Sequence, residues 1–187
     1  MNRDQALELV HEHVAGTGLL RHMLAVEAAM RFYAPRFGGD PDEWGLAGLL
    51  HDFDWEIHPT LNEHPQAGAP ILRARGVPES IVRCILSHAD HTGVPRSTPM
   101  ERNLFACDEV TGLITAVALV RPSRALHDLT SASVRKKWKD ARFAAAVNRD
   151  EIARGAQELG LDLWEHIDNV IAAMQPIAAE LGLGHAG

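Results

Sequence analysis

The chain has 187 residues, 46% hydrophobic and 23% charged, with a formal net charge of −7. That length suits one domain with a packed core and that composition excludes a disordered chain, while the acidic balance argues against a surface that tracks a nucleic-acid polymer. Only two cysteines occur, Cys84 and Cys107, far apart and without a CxxC partner, which excludes a zinc ribbon and a disulfide framework.

The first residues, MNRDQALELVHEHV, alternate charged and apolar positions and lack the continuous apolar run of a leader. They read instead as a helix over about 3–14, stopped by Gly16-Thr17-Gly18. A second helix runs from about 19 to 35. Asp40-Pro41 opens a third, with Asp40 as N-cap and the proline in the first turn, and this helix carries Trp44, Leu46, Leu49 and Leu50 into His51-Asp52. Residues 53–61 read as a loop. Helices follow over about 63–75 and 78–88, divided by Gly76 and Pro78. After Thr92-Gly93-Val94-Pro95 a long apolar helix covers about 99–119 and stops at Arg121-Pro122. Further helices are expected near 130–138, 140–146, 149–160 and 163–181, with a frayed tail over 182–187. No alternating strand pattern appears, so the fold class is all-α, one domain over 1–187 with a motif core at 19–120 and a helical extension over 121–182. No stretch approaches the roughly 20 apolar residues of a membrane span, and a cytoplasmic location is expected.

Eleven histidines are many for this length, and divalent metals are held by imidazole nitrogens and carboxylate oxygens that separate helices can aim at one point. His22 lies in Leu19-Leu20-Arg21-His22-Met23-Leu24-Ala25-Val26, an otherwise apolar helical surface. Asp108 lies in Leu104-Phe105-Ala106-Cys107-Asp108-Glu109-Val110, where a carboxylate amid apolar residues requires a cation, a metal or a proton. Taken singly, His22 and Asp108 read as a hydrogen-bonded core pair and His51-Asp52 as a helix end. The order His, then His-Asp, then Asp, each on its own helix, favours a shared site.

That order resembles the HD superfamily of metal-dependent phosphohydrolases over roughly residues 19–120, and within it the small bacterial HD hydrolases. The flanks that carry the likeness are Gly48-Leu49-Leu50-His51-Asp52-Phe53-Asp54-Trp55-Glu56, the His64–Gly76 segment and Cys107-Asp108-Glu109-Val110-Thr111-Gly112. The resemblance implies an HD-domain helical bundle in which His22, His51, Asp52 and Asp108 bind one divalent ion (Mn, Fe, Mg, Co, Ni or Zn) and Asp52 bridges to a second. His64 and His88 stand where members with two metals place their extra ligands. It further implies hydrolysis of a phosphoester or phosphoanhydride of a nucleotide or other small phosphorylated metabolite by a metal-activated water, with Asp54 or His88 handling a proton beside Asp52. The chain departs from the branch that cleaves cyclic dinucleotides, because Phe53-Asp54-Trp55 replaces Ile-Gly-Lys and no Gly-Tyr-Pro follows.

Arg121, Arg124 and the basic run Arg135-Lys136-Lys137 are candidates to hold an anionic substrate, although such runs are most often solvated helix faces. His91 reads equally as a substrate contact or as a surface residue, and His58 is undecided. His11, His13, His127, His166 and His185 read as surface or packing residues. Two other functions stay open: a di-iron HD-fold oxygenase, and a non-catalytic nucleotide-binding module. The expected partner is a small phosphorylated substrate, with neither a nucleic-acid polymer nor a membrane, and a homodimer stays open.

Overall fold

The computed structural model describes residues 1–184, and their regular structure consists of α-helices and short 3-10 segments, with no strand among the described residues. The α-helices are α1 (Arg3–His13), α2 (Thr17–Tyr33), α3 (Pro41–Leu50), α4 (Ala69–Ala74), α5 (Glu79–Ser87), α6 (Pro99–Leu119), α7 (Ser131–Trp138), α8 (Arg149–Glu158) and α9 (Leu163–Met174). Their starts follow local chemistry. Asn2 and Thr98 each close a capping box, with Gln5 and Glu101, and the carboxylates of Asp40 and Asp162 accept first-turn amides of α3 and α9. Each such cap satisfies amide groups that a helix start otherwise leaves without partners.

Two long helices, α2 and α6, form the centre, and α3, α5, α8 and α9 pack around them. The α2–α3 contact is the most extensive and depends on Gly48, where an added Cβ would stand 2.9 Å from the Glu27 backbone. Without a side chain at that point the two backbones approach closely, and His22 and His51 are brought to the same end of the pair. Gly155 does the same for α8, where an added Cβ would stand 2.7 Å from the Ala106 Cα of α6. Both cysteines are buried and free, and no described helix is long and apolar enough to cross a membrane.

The structure departs from the sequence expectations in four segments. The helix expected over 63–75 is reduced to α4, because Pro65 supplies no amide to a helical ladder and the chain turns through residues 61–68 first. No helix forms over 140–146. There the guanidinium of Arg149 takes the carbonyls of Trp138, Asp140, Phe143, Ala144 and Val147, and Ala144 has a φ of 46°, outside helical space. The last helix stops at Met174 rather than near 181, since Pro176 lacks an amide and the chain tightens into a 3-10 turn over Gln175–Ile177. The expected fraying from residue 182 is also overturned as far as residue 184: Leu181 and Leu183 are buried, and the Leu126 amide donates to the Leu183 carbonyl at 3.0 Å. His185 and the rest of 185–187 lie outside the described residues.

Candidate metal centre

Six side chains converge from five parts of the chain. His22 comes from the middle of α2, His51 caps the C-terminus of α3 with Asp52 just beyond it, His64 lies in the turn segment after α3, His88 caps α5, and Asp108 lies in the middle of α6. They form two groups whose donor atoms lie within 4.8 Å of one another: His22, His51 and Asp108, and then Asp52, His64 and His88.

Every histidine of the set is oriented in the same way. The Nδ1 position of His51 faces the Gly48 carbonyl at 2.8 Å, that of His88 the Ile85 carbonyl at 2.5 Å, and that of His64 the Asp54 carboxylate at 2.8 Å. The Thr111 hydroxyl donates to the Asp108 carbonyl at 2.8 Å and so offers its oxygen to His22 Nδ1 at 3.3 Å. An acceptor opposite each Nδ1 favours a proton there and makes Nε2 the nitrogen that a metal ion would meet. All four Nε2 atoms then point inward. His22 Nε2 and His51 Nε2 stand 3.2 Å apart, a spacing that calls for a proton or a metal ion between the two nitrogens.

The carboxylates complete the geometry. Asp108 Oδ1 lies 3.0 Å from His22 Nε2 and 3.6 Å from His51 Nε2. Asp52 turns its two oxygens to opposite sides: Oδ2 is 3.4 Å from His51 Nε2 and 3.7 Å from His22 Nε2, whereas Oδ1 is 3.2 Å from His64 Nε2 and 3.7 Å from His88 Nε2. Donor atoms bonded to one metal at about 2.1 Å lie about 3.0 Å apart in octahedral and about 3.4 Å apart in tetrahedral geometry. The observed spacings run from 3.0 to 3.7 Å, at and slightly above that range, so the residues present fit one ion at each group, with Asp52 between them.

Electrostatics points the same way. Burial opposes ionisation of Asp52, yet His51 and His64 outweigh it and hold this carboxyl well below the ordinary range. Asp108 is likewise depressed against burial by His22 and His51. Burial lowers His51 and His64, but their carboxylate neighbours override it and raise each to about 9. His88, where burial dominates, is lowered. A cluster of this kind holds positive charge at its centre.

The cluster forms the floor of a cavity of about 510 Å³, whose walls include Trp55, Leu61, His91, Glu109 and Glu151. Burial, reinforced by Asp108, pushes Glu109 up to about 7. Neither glutamate is legible in the sequence as a site residue, because Glu151 comes from α8 and only the α6–α8 packing brings it near Asp108. Thr111 was legible only as a motif flank.

The profile of one protein family, the HD domain, matches residues 19–112, 94 of the 187 residues. The chain belongs to the HD-domain family. No curated protein and no solved structure matches it. HD domains are mostly metal-dependent phosphohydrolases, and the two His/Asp clusters of this HD domain can each hold a metal.

Several expected site residues stand away from the ligand cluster. Asp54 is buried against His64 Nδ1 and does not line the cavity. Arg121 is outside the cavity wall and held by Asp128 and Ser133, at 2.5 and 2.6 Å. The basic run of α7 covers aromatic rings instead, Arg135 over Trp164 and Lys137 over Phe143, and neither these residues nor Lys136 or Arg124 lines the cavity. His91 does line it and donates from Nε2 to the His64 carbonyl at 2.8 Å. His58 does not. His13 packs edge-on against Phe53, and His166 is buried between Tyr33 and the Ala106 carbonyl.

Proposed function

We propose that this protein is a dinuclear phosphohydrolase, with His22, His51, Asp52 and Asp108 holding one divalent ion and Asp52, His64 and His88 a second. The observation that carries this reading is the common orientation of the four imidazoles, each with Nδ1 facing an acceptor and Nε2 aimed at the two carboxylates. Divalent ions at such a site supply a bound water of lowered pKa, about 7 instead of 15.7, and neutralise phosphoryl oxygens. Asp52 sets the spacing of the two groups through its two oxygens. Gly48, Asp54, Ile85 and Thr111 fix the imidazoles, and the apolar side chains of Trp55 and Leu61 line the cavity. A cavity of about 510 Å³ suits a small phosphorylated metabolite or a nucleotide as substrate.

Elemental analysis of protein purified without chelator, paired with a panel of phosphoesters and phosphoanhydrides, tests the proposal. About two metals per chain with turnover is the expected result. Two irons per chain with oxygen consumption and no phosphoester turnover would replace it with an oxygenase, which the same four-histidine set can serve. Nucleotide binding by metal-loaded protein without turnover would make the domain a sensor. His51→Ala and Asp108→Ala should each lose metal and activity while circular dichroism stays helical, and full metal retention by either would overturn the ligand assignment.

A further inference from the structure

A second cavity of about 350 Å³ adjoins the metal centre, walled by Arg21, Thr115, Leu119, Leu181 and Leu183 and sharing His22 and Gly112 with the first. The two cavities differ in charge. Beyond the ligand cluster the first is walled by Glu109, Glu151 and Asp90, the last paired with Arg96 and Arg154, whereas among the described wall residues of the second Arg21 alone, the shared His22 aside, bears charge. Arg21 makes no hydrogen bond or ion pair with any described residue. A guanidinium with its five donors unmatched is a strong site for an oxyanion.

Helix geometry explains why Arg21 serves this cavity and His22 the other. Consecutive residues on α2 point about 100° apart around the axis, so Arg21 turns away from the metal centre toward the C-terminal segment. There its guanidinium lies over Gly182, where an added Cβ would stand 2.8 Å from Cζ. Gly182 has a φ of 70°, which favours glycine, and the Leu126–Leu183 backbone bond pins the segment as the far wall. The C-terminal segment thus leaves room for the guanidinium and lines the rest of the cavity with leucine.

We infer that this side cavity receives the non-reacting end of the substrate and that Arg21 pairs there with a second anionic group carried on an apolar body. The inference rests on the hydrolase reading, and it puts the reacting phosphate beside His22, which lines both cavities. In the main cavity a second anion would face Glu109 and Glu151, whereas in the side cavity it meets Arg21, which has no partner among the described residues. Leu119, Leu181 and Leu183 match an apolar body between the two anionic ends, and the volume falls within the range of small-ligand sites. Arg21 is then the residue that selects among phosphorylated compounds, without touching the reacting atoms.

Calorimetric titration of the manganese-loaded full chain with butyl-, hexyl- and octylphosphonate, and with the same compounds bearing a terminal carboxylate in place of the methyl, separates the possibilities. None of these probes has a phosphoester bond to cleave. At the best-matched length the carboxylate should bind roughly tenfold more tightly than its plain counterpart, the gain of one charge-assisted hydrogen-bonded pair. Arg21→Gln should remove that preference while retaining manganese, and Arg21→Lys should restore part of it. Equal binding of both series by the unaltered protein, or an undiminished preference in Arg21→Gln, overturns the inference and leaves the hydrolase reading standing. Failure of every phosphonate to bind overturns the hydrolase reading, and this inference with it.

Discussion

Asp54 shows how much of the centre depends on residues that touch no metal. One oxygen accepts from His64 Nδ1 at 2.8 Å, while the other is buried without a partner beside Gly68, where an added Cβ would meet it at 2.5 Å. Its carboxylate therefore acts on His64 alone, fixing the tautomer and the ring plane. Asp54→Ala should weaken metal binding roughly 10–100-fold, the usual effect of losing such an orienting group. The loss should fall on the ion held by Asp52, His64 and His88. Metal titration followed by calorimetry would show one site weakened and one retained, and Asp54→Asn, which keeps an acceptor oxygen, should fall between. Equal weakening of both sites would mean that Asp54 supports the fold rather than His64.

Among the helices, the α2–α3 contact decides whether His22 and His51 meet. A Cβ added at Gly48 would stand 2.9 Å from the backbone of Val26 and Glu27, so a methyl group there has only rigid backbone to displace. Gly48→Ala should destabilise the protein by about 1–3 kcal/mol, the usual cost of overpacking, and should lower metal retention by widening the His22–His51 spacing. Denaturant unfolding of metal-free protein measures the first effect and elemental analysis the second. A variant of full stability and full metal content would show that the helix pair can separate without moving the histidines. The glycine in Gly48-Leu49-Leu50-His51-Asp52 was legible as a motif flank, but its reason was not, because a sequence does not state which backbone crosses which. For the same reason α4 and residues 140–146 were misjudged. Helical periodicity there was overruled by Pro65 and by the five carbonyls gathered on Arg149.

For the molecule as a whole, α9 is tied to both central helices through His166. The Tyr33 hydroxyl donates to Nδ1 at 2.7 Å, and Nε2 donates to the Ala106 carbonyl at 2.8 Å, which requires the neutral ring. Burial lowers this histidine to about 4. The folded value lies below the unfolded one, near 6.5, so the stabilisation is fully present above about pH 6.5 and is lost as pH falls from there toward about 4. A shift of that size corresponds to at most about 3 kcal/mol. In metal-free protein, His166→Gln should flatten the acid side of the melting temperature against pH between 6.5 and 4 relative to the unaltered chain. Parallel curves for the two proteins would show that His166 does not contribute to the acid transition.

By itself the sequence determined the helical class and most of the helix starts, because helical periodicity and capping are properties of short segments, and it offered His22, His51, Asp52 and Asp108 as candidate donors, with His64 and His88 added through the family resemblance. His22, His51-Asp52 and Asp108 are each visible as polar residues where the local pattern calls for apolar ones. Only the tertiary structure decided which groups stand behind the donors, which carboxylates wall the cavity, and that Arg21 faces a second cavity while Arg121, Arg135, Lys136 and Lys137 do not face the first. The basic run was a misleading signal, since charge density along the chain does not say whether a cation covers an aromatic ring, pairs with an acid or remains open to a ligand. That distinction depends on helix rotation and crossing. Both are fixed by close contacts between residues distant in sequence, such as Gly48 against Glu27, Gly155 against Ala106 and Gly182 against Arg21.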